Sequence, residues 1–307
     1  MTWQSEFKNE FSWSKSRDAL FNTCLRAYYY HYYGSWNGWQ PDVPPDVREL
    51  YIMKNLETIP MLIGRVVHEV LEAVVGAMRR GWELPVEQAI DMGLDPLHDD
   101  FEDSRKGLYR SQPKKLLGLQ DHYYGIAISE ESFQQAMATM KECITSFHNT
   151  HTYRRMTKFG PSSIMEFEEL KSMILAGTKV WVKLDLMARD LDDTVVVVDW
   201  KTGPTPAAED AELQLRIYGI YAVETYGLAA DQLLAVEENL RLRERHVYPL
   251  DEAILDEARE DIKRSVQQMQ GLLRNPDGNV AFVQDFPMTD NLGLCTYCRF
   301  RRACNRE

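Results

Sequence analysis

An Asp-x-Lys step at Asp199 and Lys201, a further acid at Asp185, and a histidine, His68, followed four residues on by Glu72 are side chains suited to chemistry. Residues two apart on a strand share a face, so Asp199 and Lys201 point the same way. Paired acids repel and lose hydration unless a cation joins them, and oxygen ligands from Asp185 and Asp199 suit hard ions such as magnesium or manganese. Lys201 beside them could orient or help deprotonate a water, or stabilise charge on a pentavalent phosphate. Taken alone, the Asp-x-Lys unit also reads as a salt-bridged strand end. A second group is thiol. Cys295, Cys298 and Cys304 form C-x2-C-x5-C near the end of the chain, a set that lacks a fourth thiolate, and Cys24 is the obvious donor. Cys143, beside Ile144 and Phe147 in a helical pattern, reads as a small buried hydrophobe.

The elements that must position these groups follow from periodicity. Apolar residues from Leu62 through Val66, Val70, Val74 to Met78 keep a 3.6-residue period, which predicts a helix over 61–80 with one buried stripe. His68 and Glu72 fall off that stripe on a common flank, and Gly64 one turn earlier leaves space for something to approach. From residue 166 the period becomes two: Val180, Val182, Leu184 and Leu186 share one face of a strand, and TVVVVDWKTG reads as a strand buried on both sides. A helix over 207–226 carries Gln214 and Tyr218 at i, i+4. A first helix over 14–33, capped by Ser12 or Ser14, contains Cys24. The spacing further predicts a largely helical, polar insertion over 81–160, a strand near 245–249 and an amphipathic helix over 251–274.

Composition sets the bounds. The 307 residues carry 35 Lys and Arg against 47 Asp and Glu, a formal charge of −12, with 44% hydrophobic residues. That excludes a disordered tail, a fibre and a disulfide-dense mini-domain. No apolar run approaches membrane-spanning length, and the first eighteen residues mix both charge signs without an apolar stretch, so a cytoplasmic protein with no membrane association is expected. Five cysteines in such a chain suggest metal ligation rather than disulfides. The acidic total is at odds with a nucleic-acid partner, but Arg299, Arg301, Arg302 and Arg306, the alternating Arg241, Arg243 and Arg245, and Lys114-Lys115 form local basic stretches able to hold phosphates. Tyr28, Tyr29, Tyr30, Tyr32 and Tyr33 read first as packing and second as a stacking platform for unpaired bases. P-loop and Rossmann glycine patterns are absent, so no ATP motor is expected.

Gly64-x3-His68-x3-Glu72, then Asp185, then Asp199-x-Lys201, then Gln214-x3-Tyr218, in that order over residues 63–221, resembles the RecB-like branch of the PD-(D/E)XK nucleases. The resemblance implies an α/β fold with a central mixed sheet. It implies a divalent ion, Mn2+ or Mg2+, on His68, Asp185 and Asp199, with Lys201 serving the attacking water. Gln214 and Tyr218 would shape the site and hold DNA, while the role of Glu72 is less settled. A histidine among oxygen ligands makes manganese more competitive with magnesium. One N-terminal cysteine with C-x2-C-x5-C is similar to the iron-sulfur subgroup of these nucleases, known from the AddB helicase-nuclease subunit and the CRISPR-adaptation exonucleases. That implies a [4Fe-4S] cluster on Cys24, Cys295, Cys298 and Cys304, clamping residues 1–34 to 285–307 of a single nuclease domain. Four-cysteine zinc is the competing reading, although structural zinc usually draws on two close pairs. The implied activity is phosphodiester hydrolysis, as an exonuclease on single-stranded DNA or DNA ends. The alternatives are a structure-selective endonuclease and an end-binding adaptor that serves a helicase, recombinase or integrase.

Overall fold

A computed structural model describes residues 8–190, 193–205 and 209–306. The chain opens with α1 (Lys15–Thr23), whose N-terminus is capped by the Ser14 hydroxyl accepting from the Arg17 amide. Cys24 does not continue this helix. Its backbone is extended, φ −162° and ψ 114°, and it divides α1 from α2 (Leu25–Tyr29), so the expected single helix over 14–33 is broken at the cysteine itself. A π-turn over Tyr30–Gly34 follows, then α3 (Pro45–Lys54) and the two-residue strand β1 (Leu56–Glu57).

Next comes α4 (Ile59–Arg79), with Thr58 as its cap and Pro60 in its first turn, where a missing N–H costs nothing. It buries Leu62, Val66, Val67, Val70, Leu71 and Val74 as the periodicity requires. The following stretch is largely helical: α5 (Val86–Arg105), the short strand β2 (Gly118–Leu119), α6 (Gln120–Tyr123), α7 (Glu130–His148) and α8 (His151–Phe159). These helices do not hang off the core. Leu97, Met140, Ile144, Phe147 and Met156 pack with α4 in a single apolar cluster that also contains Cys143. Gly93 makes part of this possible, because a Cβ there would lie 2.7 Å from Met140 Sδ.

The central sheet is built from β3 (Ile164–Phe167), β6 (Leu186–Arg189), β7 (Val195–Lys201), β8 (Leu233–Asn239) and β9 (Glu244–Pro249), side by side in that order. β7 and β8 are parallel and every other neighbouring pair is antiparallel, giving the expected mixed sheet. Between β3 and β6 the chain leaves the sheet as a separate hairpin, β4 (Leu170–Leu175) with β5 (Thr178–Lys183). The segment 178–189 is therefore two strands in two sheets, and the expected common face ends at the bend: Val180, Val182 and Leu184 pack in one apolar cluster, whereas Leu186, paired with Val198, packs in another, that of α4. The bend falls at Leu184 and Asp185. It is matched on the other arm by Glu168, a non-glycine residue at φ 51°, whose amide donates to the Leu184 carbonyl at 2.8 Å.

Val196, Val198 and Trp200 face α4, α7 and α8, while Val195, Val197 and Asp199 face α9 (Glu209–Tyr226) and α10 (Glu252–Gly271). α9 is the crossover that joins the two parallel strands. The chain ends with α11 (Leu292–Thr296) and a series of turns. These lie against the start of the chain: the Arg26 amide donates to Pro287, its Nε to Phe286 and the Tyr30 hydroxyl to Ala303.

Candidate active site

The site forms where α4, the bend between β5 and β6, and the end of β7 meet. His68 projects from the flank of α4. Its Nδ1 lies 2.8 Å from Glu168 Oε1 and 3.6 Å from Asp185 Oδ1, and its Nε2 lies 3.2 Å from the Trp200 carbonyl. Ligand atoms of His68, Glu168 and Asp185 all fall within 4.8 Å of one another; no other set of three or more histidines, cysteines and acids does so among the described residues. Asp185 reaches this place because the strand bends there, and the bend leaves its Oδ2 to accept the Trp200 amide at 2.6 Å. Gly64 lets α4 come close to the loop after β7, since a Cβ would stand 3.2 Å from Thr202 Oγ1.

Asp199 occupies the neighbouring position. Its Oδ2 is 2.6 Å from Lys201 Nζ and its Oδ1 3.5 Å from the Tyr218 hydroxyl. From α9, Gln214 accepts from Lys201 at 3.2 Å and donates to the Tyr218 hydroxyl at 2.6 Å, and that hydroxyl donates to the Lys183 carbonyl at 2.7 Å. The lysine tip is thus held from two sides. Of the residues singled out in the sequence, the structure brings His68 and Asp185 together with Glu168, and gathers Asp199, Lys201, Gln214 and Tyr218 into an adjoining chain. Glu72 is exposed one turn beyond His68, close enough to Lys183 to favour its charged form.

Glu168 was not legible as a site residue. On β3 Phe167 packs toward α4 and Glu166 toward the α9 tyrosines, so alternation would send Glu168 away from α4, and the left-handed bend at Glu168 swings it back. The run Glu166-Phe167-Glu168-Glu169 ahead of a hairpin was the available signal. Glu166 itself is used elsewhere, accepting from the Tyr221 and Tyr226 hydroxyls.

The electrostatics favour a cation. Burial, with Asp199 and Glu168 adding their charge, pushes the Asp185 carboxyl well above the usual range. Burial disfavours the His68 imidazolium, but Asp185 and Glu168 outweigh it and raise its pKa. Glu237, in register beside Asp199 on β8, is 1% exposed; neither of its oxygens has a hydrogen-bond partner among the described residues, and burial and Asp199 raise its pKa. Two buried acids, Glu168 and Asp185, and one imidazole form a donor set that fits Mg2+ or Mn2+, with histidine improving the competitiveness of manganese.

Three of the four cysteines near the chain ends lie against a third apolar cluster, distinct from the two that flank the sheet. Cys24, Cys298 and Cys304 pack on the cluster formed by Ala27, Tyr30, Met53 and Phe300. The Phe300 amide donates to Cys298 Sγ at 3.4 Å and Arg306 to Cys295 Sγ at 3.2 Å. The four sulfurs are not gathered to the spacing of a single-ion site. Burial pushes the Cys298 thiol up, with Cys24 and Cys295 adding to it. Cys143 is fully buried away from the others, and burial lifts its thiol to about 12.

The tyrosine run packs rather than presenting a platform. Tyr28 is buried, Tyr28, Tyr29 and Tyr33 pair with Phe286, and Tyr32 with Tyr33 flanks the Arg17 guanidinium. The tail arginines are likewise engaged, Arg299 with the Lys54 carbonyl, Arg301 with Thr296 and the Tyr124 ring, and Arg306 with Thr289. No helix among the described residues is long and apolar enough to cross a membrane.

No curated protein matches this chain. Among solved structures, that of SSO0001 is 17% identical, covering 60% of this chain and 77% of that one, with a TM-score of 0.28, too low to carry an argument. The family comparison is decisive by contrast: the model of the PD-(D/E)XK nuclease superfamily matches residues 12–305. A mixed sheet bent at an acid, with Asp-x-Lys closing its central strand, is what that match runs through, and the chain belongs to the PD-(D/E)XK nuclease superfamily.

Proposed function

We propose that this member of a superfamily of metal-dependent nucleases is a DNA exonuclease of the RecB-like branch, acting on single strands or ends. The observation that carries the site assignment is the convergence of His68, Glu168 and Asp185 ligand atoms within 4.8 Å, beside a lysine fixed by Asp199 and Gln214. A divalent ion held there supplies Lewis-acid stabilisation of the phosphate and lowers the pKa of a water. His68, Glu168 and Asp185 would hold that ion. Lys201 keeps its charge, because Asp199 outweighs the cost of burial, and is the group that orients the water and stabilises charge growing on phosphate oxygens. Gln214 and Tyr218 are positioning residues that hold the ammonium in place.

In the same reading Cys24, Cys295, Cys298 and Cys304 carry a [4Fe-4S] cluster that ties the two ends of the chain. Its support is the cysteine spacing, the shared core under three of the four thiols, and N–H groups directed at two of the sulfurs, which are features that tune such clusters. A polynuclear cluster also holds its thiolates farther apart than one zinc ion does.

Digestion of end-labelled linear single-stranded, duplex and covalently closed circular DNA by anaerobically purified protein tests the activity. The expected result is metal-dependent release of label from linear DNA with intact circles. Nicked or linearised circles would make the enzyme an endonuclease.

A further inference from the structure

On the opposite face of the sheet from Asp199, the corner between α7 and α8 and the turn between β8 and β9 enclose a cleft of about 470 Å³. Its cations are Arg154, Arg243 and Arg245, with His151 beside them. Burial lowers the His151 pKa, and Arg245 and Arg155 lower it further against the opposing Glu238 carboxylate. Its two carboxylates have other partners. Glu238 is buried, accepting from the Thr152 amide and hydroxyl and from the Trp200 indole, with Arg245 at 3.8 Å; Glu244 lies 3.6 Å from His246. Arg155, just outside, pairs with Asp190. For Arg154 and Arg243 no carboxylate lies within salt-bridge distance among the described residues. Arg154 Nε donates only to the Thr150 carbonyl of its own helix, and Arg243 holds a left-handed backbone, φ 58°, at the turn tip, a place that Gly or Asn ordinarily takes.

The cleft adjoins the catalytic pocket. Asn239, which lines it, ends β8 level with Lys201 at the end of β7, and its amide donates to the Gly203 and Thr205 carbonyls of the loop that follows Lys201. In a chain of charge −12, a concentration of cations here has a specific use. We propose that this cleft is a phosphate track for the DNA strand, gripping nucleotides beyond the scissile bond. The proposal rests on the nuclease reading.

The test is binding of a fluorescent single-stranded oligonucleotide by intact protein in chelator, across a salt series. Each lost phosphate contact on a single strand lowers the slope of log affinity against log salt by about 0.7. The double variant Arg154→Gln/Arg243→Gln, at two exposed positions, is expected to lose about 1.4 from that slope. A variant with the same net charge, Lys263→Gln/Arg264→Gln on α10, is expected to keep it. A slope unchanged in the first variant, or lowered equally in the second, would overturn the track and leave the nuclease reading standing. Parent protein without affinity for DNA would overturn both. Mononucleotide in place of the oligonucleotide should bind no better to parent than to variant; saturable binding lost in the variant would make the cleft a nucleotide site and overturn the track.

Discussion

Glu168 gives the sharpest test of how the site is built, because the sequence pattern assigns the ion to His68, Asp185 and Asp199 whereas the geometry gathers His68, Glu168 and Asp185. Glu168→Gln keeps the shape and removes the charge. The carboxylate stands 2.8 Å from His68 and 2.6 Å from Lys183, gross attractions of about 6 kcal/mol each at an effective dielectric near 20, before desolvation. Those two cations compete with an incoming ion for the same carboxylate, so the loss of metal affinity is scaled instead by one interaction with a charged group, about 1.5–3 kcal/mol. At 1.4 kcal/mol per tenfold, Mn2+ affinity should fall about ten- to a hundredfold. Calorimetric titration of metal into parent and variant reads this directly, with circular dichroism confirming the fold. Glu166→Gln is the control, since that acid is held by two tyrosines and should leave metal affinity alone. Equal Mn2+ affinity in parent and Glu168→Gln would refute the assignment.

His31 makes stability depend on pH. Burial, with Lys54 and Arg299 nearby, holds its pKa down to about 3, so the folded chain resists a proton that the unfolded chain takes up below about 6.5. Its contribution is present above pH 6.5 and is lost as pH falls toward 3, at about 1.4 kcal/mol per unit. Denaturant melts at pH 7 and 5.5 should show a smaller drop for His31→Gln than for parent; equal drops would remove His31 as a cause. Protein purified without oxygen should be brown, and Ser at Cys24, Cys295, Cys298 or Cys304 should bleach it, whereas Cys143→Ser should stay coloured while losing about 1–3 kcal/mol from a buried hydroxyl. Colourless parent with one equivalent of zinc would contradict the cluster.

Strong local signals were legible in the sequence. The α4 stripe, the doubly buried β7 and the Gln214–Tyr218 step appear where the periodicity puts them, because each is set by near-neighbour spacing and one dominant burial. What was not legible depends on tertiary bending. Asp185 looked like the interior of one strand, yet it sits where the chain passes from hairpin to sheet, and Glu168 enters the site only through the matching left-handed bend. β8 was missed because LLAVEEN carries no alternation: Glu237 and Glu238 are both buried, one beside Asp199 and the other under Thr152 and Trp200. The break at Cys24 is hidden because the good helix formers Leu25, Arg26 and Ala27 follow at once, and contacts of Arg26 with the distant Phe286 and Pro287 set the break despite them.

The claim that Lys201 acts in phosphodiester cleavage is tested most directly by single-turnover digestion of end-labelled single-stranded DNA with Mn2+, comparing parent with Lys201→Ala. Losing one such positioning and charge-stabilising group should slow cleavage about a hundredfold or more while DNA stays bound. Cleavage by Lys201→Ala at the parent rate would make the Asp199–Lys201 pair a structural salt bridge and contradict the account.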